Sequence, residues 1–343
     1  MHTLQSSHPM QPGWIDRPHQ VAAIGDLALE GGDVLRDCQI SYVVHRADGA
    51  LHPVPGDKVV LALCAIGSTH HRLDFMIGNG LALDPSRYTV IVVDAIGNGL
   101  SSSPSNSVQQ PGGLFPRFTI RDMVASQALL LDQLGVGALR AVVGASMGGM
   151  QALQWAVSYA ARVQRVVAMT PMARTRPWSV VVNEAARRSL AATIDAAEPW
   201  SAWVPLMQLI SSRTPAGVDA QFRTGAEALE WIVGRCAERH AEAPQPLDWI
   251  YQSWAYDAHD VGTTDGFNGD TDAALRSITA SCLIAAPPLD LYNPADAARS
   301  LASTIPGAQW LEIPSERGHQ SATASDPDAA ALLNRQTQAW LGD

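Results

Sequence analysis

The chain has 343 residues, 47% of them hydrophobic and 16% charged, with a mean hydropathy near zero. That is ample apolar material for a large core, in one globular unit or a unit carrying an insertion. A formal net charge of −10, spread along the chain without runs, argues against nucleic acid and anionic membrane surfaces as partners, and no stretch approaches the ~20 apolar residues of a membrane span.

Residues 1–20 read as an irregular arm without the apolar segment of a secretory signal, so a cytoplasmic location is expected. From Val21 to Val44, short alternating segments broken at Gly31-Gly32 predict an antiparallel hairpin. Asp48-Gly49, Pro53, Pro55 and Gly56 then mark a loop. Lys58–Cys64 and Tyr88–Asp94 are continuous apolar runs of the kind found in strands buried on both faces, as are Leu139–Val143, Val163–Met169 and Ser281–Ala285. Thr119-x-x-Asp122 has the form of a capping box opening a helix whose face carries Ile120, Met123, Val124, Ala128, Leu131 and Leu134. Buried strands alternating with amphipathic helices predict an α/β fold with a mostly parallel sheet.

Between Thr170 and Ile278 that rhythm stops, and helical patterns hold Trp178, Trp200, Trp203, Trp231, Trp249 and Trp254. We read 171–278 as a helical cap inserted into a core made of 1–170 and 279–343. Its tryptophans either line a substrate pocket or pack the cap onto the core or a second subunit. A last strand near Gln309–Ile313 precedes a loop with His319, and Asp326-Pro327 opens the final helix. Cys38, Cys64, Cys236 and Cys282 lack CxxC spacing and read as free, mostly buried thiols.

The chemistry centres on Gly144-x-Ser146-x-Gly148, entered from a β-branched run and followed by Met150, Leu153, Ala156 and Val157 at helical spacing. A serine on a sharp strand-to-helix turn needs small neighbours, because strand and helix approach closely there. The turn presents the Ser146 hydroxyl and aims the N–H of Met147 toward an oxygen on the attacked carbon. A serine hydroxyl needs a base within reach, and that base needs an orienting group. Of His240, His259 and His319, only His319 lies in a glycine-flanked loop beyond the last strand. Asp290 sits just past a strand end, whereas Asp296 falls where the next helix starts and is explained by its N-terminal charge. The reading is therefore Ser146 as nucleophile, His319 as base then acid, and Asp290 as its orienter. The second oxyanion donor is assigned to the N–H of Ile66, with Ala65 and Gly67 as alternatives. His70-His71 has no third ligand nearby, the Asp265–Asp272 segment fails the EF-hand spacing, and no GxGxxG occurs, so neither metal nor cofactor is expected.

With those residues in place, Lys58 to Leu341 resembles the homoserine O-acetyltransferase family of α/β-hydrolases and its esterase relatives. The resemblance is carried by Phe118–Val124, by Gly144–Trp155, by Asn183-Glu184 with Arg187, and by Gly318-His319 and Asp290. It implies the α/β-hydrolase fold, a homodimer formed through cap helices, and an Arg187 that holds a substrate carboxylate. The transacetylases resembled carry an aspartate directly after the histidine, to recognise an amino group; here that residue is Gln320, a neutral amide that cannot pair an ammonium as a carboxylate does. Gly97–Asn106 and Glu312–Ser315 look more like the acetyl-ester hydrolase branch. The expected activity is hydrolysis of small acetyl esters through an acyl-serine, with acetyl transfer from acetyl-CoA to an acceptor such as homoserine as the alternative.

Overall fold

Alternating side chains of the apolar runs feed two separate cores, which requires a sheet covered on both faces. In strand β4 (Val59–Leu63), Val59, Leu61 and Leu63 pack into one cluster and Val60 and Ala62 into the other. Strands β5 (Thr89–Val93) and β6 (Ala141–Ala145) are likewise buried at every position. The first cluster is covered by α1 (Ile120–Gln133) and α2 (Met147–Ser158), the second by the C-terminal helix Pro327–Leu341.

A computed structural model describes residues 2–4, 10–53, 58–240 and 244–342 of the chain; Pro55 and Gly56 of the predicted loop lie outside the described residues. The remaining strands are β1 (His2–Leu4), β2 (His19–Ala28), β3 (Val34–His45), β7 (Arg165–Met169), β8 (Ser281–Ala286) and β9 (Gln309–Glu312). They form one nine-stranded sheet in the order β1-β2-β3-β5-β4-β6-β7-β8-β9. β1, β2 and β3 pair antiparallel, and every pairing from β5 to β9 is parallel. The hairpin turns at Gly32, whose φ of 88° is cheap only for glycine.

The arm is less irregular than its composition suggests. His2–Leu4 adds an edge strand to β2, the N–H of Ile15 donates to Asp74 Oδ2 at 2.8 Å, and Trp14 stacks on His71. The N-terminus of α1 has the capping box its sequence predicts: Thr119 Oγ1 accepts from the Asp122 N–H and Asp122 Oδ2 accepts from the Thr119 N–H.

Between β7 and β8, which pair directly, the chain runs through α3 (Pro177–Thr193), α4 (Trp203–Pro205), a π-helical turn (Leu206–Ser211), α5 (Pro215–Gln221), α6 (Gly225–His240), α7 (Pro246–Asp257) and α8 (Thr271–Arg276). After β8 come α9 (Ala295–Thr304), β9 and α10 (Pro327–Leu341). Among the described residues no helix is long and apolar enough to cross a membrane, and the four cysteines are free thiols.

Candidate active site

Ser146 occupies the turn between β6 and α2 with φ 57° and ψ −124°, outside the ordinary range for a residue with a Cβ. The packing around it enforces that conformation. A Cβ on Gly144 would lie 2.2 Å from the backbone of Gly148, and one on Gly148 would lie 2.5 Å from the carbonyl oxygen of Leu63. The Ser146 N–H donates to the Met169 carbonyl at 2.8 Å, which ties the turn to β7.

Three residues far apart in the chain meet here. His319 Nε2 lies 2.8 Å from Ser146 Oγ, and His319 Nδ1 lies 2.7 Å from Asp290 Oδ2. Asp290 Oδ1 accepts from the N–H groups of Tyr292 (2.8 Å) and Asn293 (2.9 Å), an Asx-type turn that fixes the carboxylate before the imidazole meets it. All three side chains are buried. The geometry is that of a hydroxyl facing a base whose far nitrogen is pinned by an acid.

Two tyrosines that the sequence did not single out complete this arrangement. The Tyr292 ring meets the His319 imidazole edge-on, and its hydroxyl donates to Asn183 Oδ1 at 2.6 Å. Tyr256, from α7, stacks on Tyr292, donates to Asn293 Oδ1, and sets its hydroxyl against the Ser146 side chain. Burial pushes the Tyr256 phenol well above its ordinary pKa, so it is a neutral hydrogen-bonding group at any working pH. Tyr292 was legible in part, since it follows Asp290 by two positions; Tyr256 had no sequence signal at all.

The serine opens into a cleft of about 600 Å³ that also reaches Ile66, Trp203, Trp231, Trp249 and Gln320. Gln11–Trp14 of the N-terminal arm contribute to its wall. Met147 begins α2, so its N–H has no intrahelical partner. Of the backbone donors named after β4, Gly67 is taken: its N–H donates to Gln252 Oε1 at 2.8 Å, leaving Ile66 and Ala65. Arg187 is not in the cleft wall. Its guanidinium pairs with Asp257 at 2.7 Å and Glu184 at 3.0 Å and donates to Ser253. Asn183 bridges Asp257 to Tyr292, so Arg187 braces the tyrosine that packs on His319.

His70 and His71 turn their Nδ1 atoms to Asp94 and Asp74. Asp270 caps α8 by accepting from the Ala273 N–H. Among the described residues no group of three or more potential ligands is arranged to hold a metal ion.

A serine on the strand-to-helix turn after the third parallel strand in chain order, with an aspartate after β8 and a histidine after β9 brought to it, is the arrangement of the α/β-hydrolase class. A model of the alpha/beta hydrolase fold matches residues 62–207. The chain is 30% identical over 332 residues to ethyl acetate hydrolase of Pseudomonas veronii, covering 90% of this chain and 91% of that one. It is 29% identical over 320 residues to homoserine O-acetyltransferase of Nostoc punctiforme, covering 85% and 88%. Its fold matches the solved acetylester hydrolase of Corynebacterium glutamicum with a TM-score of 0.86 at 24% identity, over 95% and 96% of the two chains. The chain therefore belongs to the α/β-hydrolase family, in the group that holds the homoserine O-acetyltransferases and their acetyl-ester hydrolase relatives.

Proposed function

We propose that this protein hydrolyses small acetyl esters through an acyl-Ser146 intermediate. His319 Nε2 takes the proton as Ser146 Oγ bonds to the ester carbonyl carbon, and returns it to the departing alcohol. Asp290 holds the imidazole in the tautomer with its proton on Nδ1 and stabilises the imidazolium that forms. The N–H groups of Met147 and Ile66 receive the negative oxygen of the tetrahedral intermediate. Water, deprotonated by the same imidazole, then releases acetate. The single observation that supports this reading best is the unbroken chain Ser146 Oγ–His319 Nε2 (2.8 Å) and His319 Nδ1–Asp290 Oδ2 (2.7 Å).

The second reading hands the acetyl group from acetyl-CoA to a hydroxyl acceptor such as homoserine, and the likeness to homoserine O-acetyltransferases favours it. It asks Arg187 to hold the acceptor's carboxylate, yet that guanidinium already faces Asp257 and Glu184. It also asks for a charge to hold an ammonium at the position of Gln320, which is neutral. Both points support the hydrolase.

The test is a panel of p-nitrophenyl esters of rising chain length, run beside acetyl-CoA with and without homoserine. The expected outcome is fastest release from the acetate ester and no O-acetylhomoserine. O-acetylhomoserine forming faster than free acetate would overturn the hydrolase in favour of the transferase. Failure of Ser146 to label with a fluorophosphonate in the folded protein would overturn both.

A further inference from the structure

The turn that follows β4 runs through Cys64, Ala65, Ile66, Gly67 and Ser68, and it carries the Ile66 N–H proposed above as the second oxyanion donor. The Ala65 carbonyl accepts from the Ser68 N–H at 3.2 Å and from Ser68 Oγ at 2.8 Å, and Gly67 has a φ of 62°. With both bonds closed, the turn moves as one body, so whatever holds its tip also aims the Ile66 N–H. A peptide N–H points opposite to the carbonyl of the same planar unit, and the Ser68 bonds to Ala65 therefore turn the Ile66 N–H away from Ser68.

The core holds the two ends of this turn. Gln151 Nε2, from α2, donates to the Cys64 carbonyl at 3.1 Å and to the Met147 carbonyl at 3.3 Å, which ties the loop to the helix bearing the other proposed donor. Asn98 Nδ2 donates to the Ser68 carbonyl at 3.2 Å.

The tip is held by the segment between β7 and β8 instead. The Gly67 N–H donates to Gln252 Oε1 of α7 at 2.8 Å, and Arg239 Nη1 of α6 donates to the Gly67 carbonyl at 2.9 Å. Gln252 is fully buried, and its Nε2 donates to the Ile96 carbonyl, in the loop after β5, at 3.1 Å. A donor on one side and an acceptor on the other fix which way its amide faces. Two glycines make room for these contacts. A Cβ on Gly97 would lie 3.1 Å from Gln252 Cγ, and one on Gly67 would lie 2.7 Å from Trp249 Cδ1.

We infer that Gln252 is a positioning residue for the oxyanion hole: by holding the turn at Gly67 it aims the Ile66 N–H at the oxygen of the reacting carbonyl. The inference deepens the hydrolase reading and rests on it. Gln252 belongs to a cap helix and both of its partners to the core, so the hole is complete only while α7 is seated on the loop. Without the glutamine oxygen the Gly67 N–H is a buried donor lacking its acceptor, which pulls the turn toward another.

The experiment measures turnover of p-nitrophenyl acetate beside its thionoester, in which sulfur replaces the carbonyl oxygen. Sulfur accepts hydrogen bonds weakly, so the ratio of the two kcat/KM values reports how well the oxyanion donors are aimed. Gln252→Met, close in size and without the amide, is expected to lower kcat for the oxygen ester about tenfold or more, with KM changed by less than about twofold. It is also expected to lower the oxygen-to-sulfur ratio about tenfold. Gln252→Glu keeps an oxygen toward Gly67 and is expected to hold that ratio within about threefold of the wild type. General loosening of the fold would slow both esters alike. A ratio unmoved in Gln252→Met, or lowered equally in Gln252→Glu, therefore overturns the inference while leaving the hydrolase standing. If methionine prevents folding, Gln252→Asn, one methylene shorter, draws the amide back from Gly67 and is read by the same ratio and the same criterion. If the wild type turns over neither ester, the hydrolase reading fails, and the rate at which a fluorophosphonate labels Ser146 decides the positioning role, since its phosphoryl oxygen stands where the carbonyl oxygen would. Labelling about tenfold slower in Gln252→Met supports that role; an equal rate, or no labelling of the wild type, overturns it.

Discussion

The Tyr292 ring packs edge-on against the His319 imidazole, centroids 5.1 Å apart and planes at 80°. The same residue's N–H holds Asp290 Oδ1 at 2.8 Å. One residue therefore positions both the proposed base and the acid that orients it, through its ring and its backbone respectively.

Because Asp290 Oδ1 is held by backbone donors and Oδ2 faces the imidazole, Asp290→Asn separates structure from chemistry. The asparagine oxygen can keep the two N–H bonds, while its NH₂ would face Nδ1 and favour the wrong tautomer. Ester turnover should fall by about a thousandfold or more in kcat, with thermal unfolding changed by no more than about 1 kcal/mol. A loss below about tenfold would remove Asp290 from its proposed role.

Tyr256→Phe tests the tyrosine that joins α7 to the serine. It leaves Asn293 Oδ1, otherwise the acceptor of the Tyr256 hydroxyl, without that donor. The expected cost in stability is about 1–3 kcal/mol, the scale of a buried acceptor losing its partner. Turnover should fall about tenfold in kcat with KM little changed, since the hydroxyl lies against Ser146 and not against the far cleft wall. Steady-state kinetics beside denaturant unfolding reads both.

Gly144→Ala should prevent the strand and helix from closing on Ser146, because the new methyl has backbone, not a movable side chain, at 2.2 Å. A destabilisation above about 3 kcal/mol is expected, with insoluble expression as the common outcome. Gly31→Ala is the control: nothing lies within 4 Å of its Cβ position, and the change should stay within about 0.5 kcal/mol.

Burial holds the His259 pKa down at about 3, against an ordinary value of 6.5. The folded protein keeps this imidazole neutral while the unfolded chain takes up a proton below pH 6.5, so stability falls as the pH is lowered from there toward 3. At pH 5 the linkage amounts to about 2 kcal/mol for this one group. His45, held at about 4, adds to the slope in the same direction. His259→Asn should make the acid limb of a stability-versus-pH curve shallower by nearly one proton; an unchanged limb would show that the residue titrates normally.

Local pattern made much of the architecture legible. Continuous β-branched runs mark strands buried on both faces, and those at 58–64, 88–94 and 281–285 coincide with β4, β5 and β8 to within one residue at each end. Leu139 entered its strand two residues early, because its backbone makes an isolated bridge to Val163 before β6 begins. The arm at 1–20 was less legible: the short edge strand His2–Leu4 carries no apolar alternation, and its pairing comes from the exposed edge of β2.

The glycine spacing around Ser146 follows from the sequence alone, since close approach of adjoining strand and helix is a local steric demand. So does the placement of Asp290 and His319 on loops past strand ends. Tertiary structure alone decided the rest: that Tyr256 and Tyr292 converge on that serine and histidine, and that Arg187 is engaged by Asp257. Each depends on segments up to a hundred or more residues apart packing face to face, and no spacing within one element encodes which side chains from another will meet it.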